Sequence, residues 1–110
     1  METTLLEDLK KALAVGGELD DDIKDDVMFE MLKFIANDDS CKDGLGEDQL
    51  RDAADYAFNV FLVSWMNIVE KVNNEDEFNN KLKKLCLNAC QNERRMAHGR
   101  IHRTVGIVSI

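Results

Sequence analysis

The chain has no proline, one tryptophan, one tyrosine and an odd number of cysteines, three, among its 110 residues. Its last stretch, after Glu93, has no acid at all. Without proline nothing in the sequence locks a backbone angle or removes a helical donor, so long uninterrupted helices are expected. Cys41, Cys86 and Cys90 cannot all pair with one another. No secretory leader precedes them, so the thiols are expected to be free in a reducing compartment, the cytoplasm by default.

A long apolar run is missing as well. The segment from Ala57 to Val69 is strongly apolar, but Asp55 and Glu70 bound it and Asn59, Ser64 and Asn67 interrupt it. A bilayer span needs about 20 apolar residues, so this segment reads as a buried helix and no membrane partner is expected. Also absent are a phosphate-binding glycine loop, a pair of carboxylates placed for acid–base work, and the helix-borne Glu-x-x-His of metalloproteases. Nothing meets the geometric requirements of an active site, so the sequence predicts neither an enzyme nor a cofactor.

What is present is a division of charge. The formal net charge is −8, with most of the acid lying before Tyr56, whereas Arg94, Arg95, Arg100 and Arg103 share the C-terminal stretch with His98 and His102. Clustered like charge creates a surface field that selects partners, and this asymmetry is the one feature that points to partners rather than to a fold.

Helix signals run along the whole chain. Thr4 and Glu7 form a capping-box pattern ahead of Leu5, Leu9, Ala12 and Leu13, and Gly16-Gly17 closes the first helix. Asp20, Asp21 and Asp22 suit the first turn of a second helix, where exposed amides and the macrodipole favour negative charge. Ile23, Val27, Met31, Phe34 and Ile35 follow at helical spacing. Residues 37–46 are polar and glycine-containing and read as a loop. The third helix is apolar around nearly its whole circumference between Ala57 and Val69, which requires cover from neighbours or from another subunit. Asn74 with Glu77 repeats the capping pattern before Phe78, Leu82, Leu85, Cys86 and Ala89. Gly99 reads as an end or kink of this helix, and from Thr104 the sequence turns β-branched and uncharged.

The expected fold is therefore all-α. Four helices over residues 4–15, 20–37, 47–72 and 75–97 should pack as a compact bundle with the apolar third helix central. Residues 1–103 would form one helical domain, and 104–110 a short non-helical apolar tail. Trp65 should be buried with its indole N–H partnered.

Candidate sites follow from the same residues. The acidic run Asp20, Asp21, Asp22, Asp25 and Asp26 offers a face for a partner protein with a basic surface. Arg94, Arg95, Arg100 and Arg103 offer the opposite, either to phosphates or to acids of the first half, within one subunit or between two. Cys86, Cys90, His98 and His102 are ligand types that zinc accepts. On one continuous helix, however, the cysteines would lie about 18 Å from the histidines at 1.5 Å per residue, so no metal site is expected. The same spacing argument separates Cys90 from His98, the only thiol–imidazole pairing that could suggest nucleophilic catalysis. A calcium-loop register from Asp39 puts Gly44 correctly but supplies Cys41 and Leu50 where oxygen ligands are needed.

The function expected from these features is a non-enzymatic, protein-binding one: a small acidic adaptor or inhibitor, with a homodimer favoured by the apolar excess of the third helix. The alternatives are nucleic-acid association through the C-terminal Arg/His segment, or mimicry of nucleic acid by the acidic half. The first is disfavoured by the acidic net charge and the lack of interleaved aromatics.

Overall fold

In a computed structural model, the backbone of residues 4–109 and the side chains of residues 4–96 are described. The described chain is helical throughout, with no strand, in the order α1 Leu5–Val15, α2 Asp21–Asn37, α3 Asp39–Lys42, α4 Glu47–Lys71 and α5 Glu75–Ser109. The capping groups read from the sequence set several starts. Thr4 Oγ1 accepts from the Glu7 N–H at 3.1 Å, Asp20 Oδ1 from the Ile23 N–H at 2.9 Å, and Asn74 Oδ1 from the Glu77 N–H at 2.9 Å. Each satisfies one amide that has no partner inside its helix. Glycine is required where α1 ends, since Gly16 and Gly17 take φ of 137° and 79°.

Two expectations are corrected. Among the described residues there are five helices, not four, because residues 39–42 of the anticipated loop form a single turn, α3. Asp38 is the local cause: its carboxylate accepts from the Ser40 N–H at 2.8 Å and the Cys41 N–H at 3.3 Å. The non-helical tail is not found either, since α5 continues through Gly99 to Ser109. The β-branched residues there carry only a mild helix penalty, and neither a proline nor a capping group stops the helix.

The core is built around α4, which packs against α1, α2 and α5. Ala53, Ala57, Phe61, Trp65 and Val69 form its buried face. They meet Leu6, Leu9 and Ala12 of α1, Val27, Met31 and Ile35 of α2, and Phe78, Leu82 and Cys86 of α5. In α1 the buried position falls on Leu6, with Leu5 and Leu13 only partly covered. The circumference of α4 is not fully covered: Val63 is 90 % exposed, and Tyr56 and Met66 are about half exposed. Trp65 is buried as expected. Its ring borders a surface depression with Glu18 and Lys24.

One long-range polar contact was not visible in the sequence. The Lys10 ammonium donates to the Val69 carbonyl at 2.8 Å and to the Val72 carbonyl at 2.6 Å. It therefore satisfies carbonyls left open at the C-terminus of α4, where the macrodipole favours a cation. Lys10→Met keeps the aliphatic stem and removes both bonds. It is expected to cost about 1.5–3 kcal/mol, the range for hydrogen bonds to charged groups, measured by urea denaturation.

Candidate interaction surfaces and the buried thiols

Between the end of α1 and the start of α2 lies an open groove of about 740 Å³. Its rim carries Asp8, Glu18, Asp20, Asp22 and Asp26, and Lys11 is the one cation among the lining residues. Apolar groups line it too: Ala12, Leu19 and Ile23 contribute, and Val15 at the end of α1 is 86 % exposed. The sequence placed five aspartates of this region on one face. The structure brings Asp20, Asp22 and Asp26 to the groove, while Asp21 and Asp25, exposed on α2, lie outside its lining. Asp20 also caps its own helix. What the sequence did not show is that Asp8 and Glu18 join this rim, because the approach of α1 to α2 is set by their packing on α4.

The basic candidates divide differently. Arg94 is used within the chain, on main-chain oxygens. Its guanidinium donates to the carbonyls of Ser40, Cys41 and Asp43, at 3.5 Å for Cys41 and 3.3 Å for Asp43. It thus closes the C-terminal end of α3, whose last carbonyls have no helical partner. The sequence offered carboxylates of the first half as acceptors for this arginine. The backbone of residues 40–43 accepts instead, because the turn of α3 points its open carbonyls at α5. Arg95 is exposed. The side chains of Arg100 and Arg103 lie outside the described residues.

Cys41, Cys86 and Cys90 are fully buried and gather where α3 and α5 meet. The Cys41 thiol donates to the Cys90 sulfur, and the Cys86 thiol lies 4.0 Å from the Met31 carbonyl. Burial pushes the Cys41 and Cys86 thiols up to about 12, helped in Cys41 by the neighbouring sulfurs, and raises Cys90 as well. For Cys90 the Cys41 hydrogen bond and the Arg94 guanidinium act against that rise. Thiols held in the neutral form are weak nucleophiles, so this cluster packs as small apolar groups.

Of the zinc set considered above, His98 and His102 have side chains outside the described residues. The cysteines are in the core, and α5 runs unbroken from Glu75 to Ser109. Among the described residues no group of three or more His, Cys, Asp or Glu side chains is placed to hold a metal ion, and no helix is long and apolar enough to cross a membrane.

Comparison of the chain with protein-family models, curated proteins and solved structures finds no match.

Proposed function

We propose that this chain is a non-enzymatic protein-binding module, an adaptor or inhibitor, whose groove between α1 and α2 receives a basic amphipathic helical segment of another protein. The observation that supports this reading is the coincidence of an acidic rim with apolar lining in one open groove. An amphipathic helix docks by laying its apolar face into such a groove, and its flanking cations meet the rim. Rim charges of this kind act mainly on encounter rate and on the choice of partner.

Fluorescence anisotropy with a dye-labelled Leu/Lys amphipathic helical peptide tests the groove directly. Wild-type protein is expected to bind it with an affinity that weakens as salt screens the rim. The Glu18→Arg/Asp26→Arg variant should bind at least ~10-fold more weakly, a change of about 1.4 kcal/mol. Equal binding by the two proteins would overturn the reading. So would affinity capture from the native extract in which recovery is abolished by nuclease and by Arg100→Glu/Arg103→Glu, since that result would transfer the function to nucleic-acid association.

A further inference from the structure

The chain carries, within its own C-terminal segment, the kind of helix that its groove is built to take. After Glu93 there is no acid, and Arg95, Arg100 and Arg103 punctuate a stretch in which Ala97, Ile101, Val105 and Val108 recur. Their spacing of four, four and three residues places those apolar residues on one helical stripe. The backbone is helical through this stretch, to Ser109. Sequence and backbone together therefore define a basic amphipathic helix, complementary to a groove lined by five acids and one lysine.

This helix cannot serve its own groove while α5 remains continuous. The short connection of residues 72–74 makes α4 and α5 an antiparallel hairpin, so α5 travels back towards the start of α4. The Arg94 bonds to Ser40, Cys41 and Asp43 confirm that direction, because those residues immediately precede α4. The groove lies elsewhere along α4: its residues Glu18 and Leu19 also border a depression formed with Leu62 and Trp65. From Glu47 to Leu62 the helical rise is about 22 Å. At Arg94, where the basic segment begins, α5 has reached the start of α4, the end remote from the groove. The segment's charge and the spacing of its apolar residues match the groove of another copy.

We propose that, resting on the groove's role as a binding site, the C-terminal segment of α5 from one copy occupies the α1–α2 groove of a second copy. Such contact is heterologous, and two copies that exchange these segments reciprocally close it into a dimer. The consequence is regulatory. A foreign basic segment must displace the chain's own, so self-association sets the concentration at which the groove becomes available.

The test uses the full chain in sedimentation velocity, with circular dichroism establishing that every variant is folded. Glu18→Arg/Asp26→Arg reverses the groove, and Arg100→Glu/Arg103→Glu reverses the segment. Wild type is expected to associate with rising concentration and to dissociate with rising salt. Each variant alone should sediment as a monomer. An equimolar mixture of the two variants should associate again, because the reversed groove then meets the reversed segment. A wild-type chain that stays monomeric at ~100 µM, far above the micromolar range of ordinary transient contacts, would overturn the inference. Association that survives both reversals, or a mixture that stays monomeric, would overturn it too. If self-association fails but the Leu/Lys peptide still binds the groove, only this inference falls; if the peptide also fails, the proposed function falls with it.

Discussion

Replacing Phe61 with alanine is expected to lower the unfolding free energy by about 3–5 kcal/mol, whereas Val63→Ala, two residues along the same helix, should change it by no more than about 0.5 kcal/mol. The contrast follows from helix geometry. Successive residues turn by about 100°, so Phe61 and Val63 look in nearly opposite directions from α4. Phe61 is fully buried between α4 and its neighbours, with its ring set edge-on to Phe78 at a centroid separation of 6.2 Å and an interplanar angle of 72°. Truncation there removes that ring contact and leaves a cavity in the middle of the bundle, and the central helix has little freedom to collapse into it. Val63 is 90 % exposed and loses almost no contact.

The size of the first effect is large relative to what holds the chain together. Small domains are stable by about 5–15 kcal/mol in total, so Phe61→Ala removes a major share of that margin. With a shift of about 4–8 °C per kcal/mol for a domain of this size, the melting temperature should fall by at least ~12 °C. Urea denaturation followed by circular dichroism reads both variants against wild type. Equal loss at the two positions would mean that the exposed side of α4 is buried in solution, by a second copy or by another packing of the helices.

Most helix limits were legible because they are local. Thr4, Asp20 and Asn74 are each followed by the amide they cap, and the apolar stripes of α2, α4 and α5 repeat at the helical period. The features that were missed depend on groups far apart in sequence. A one-turn helix has no periodic stripe, so α3 had no signal beyond Asp38. The turn is completed by Cys41 entering the core and by Arg94, more than 50 residues away, meeting its carbonyls. Lys10 has no local signal of its role, because its partners are carbonyls at the C-terminal end of α4, 59 and 62 residues on. The tail misled for the opposite reason, since β-branching is a preference that an established helix overrides.

The acidic site was half legible in the same sense. The aspartates and the apolar Leu19 and Ile23 are adjacent in sequence, but the groove exists only because α1 and α2 dock side by side on α4. The arginines illustrate how one charge cluster can hold different roles. Arg94 is committed to the turn of α3 within the chain, and Arg95 beside it is exposed. A reading from charge alone assigns them one role.

The three cysteines should be almost silent towards a disulfide reagent in the native protein at about pH 8, and all three should react in denaturant. Each is fully buried, so reaction must wait for an opening of the fold, and with a stability of at least ~5 kcal/mol the native rate should be at least ~10³-fold slower. Neutral thiol character adds to this protection, since burial and the neighbouring sulfurs raise Cys41 and burial raises Cys86, both to about 12. The same shift makes stability depend on alkali. A raised thiol pKa means that the unfolded chain ionises first: below about pH 8.5, the ordinary thiol value, the contribution is fully present. As pH rises from there towards about 12, the unfolded state holds fewer protons than the folded one, and stability falls with pH. The reading that isolates the thiols is the difference in pH slope between wild type and Cys41→Ala/Cys86→Ala/Cys90→Ala. The wild type should lose stability more steeply above pH ~9. Rapid native labelling of one cysteine would instead show that α3 lifts off α5, exposing the Cys41–Cys90 contact without global unfolding, and would make the Arg94 bonds the weak point of the fold.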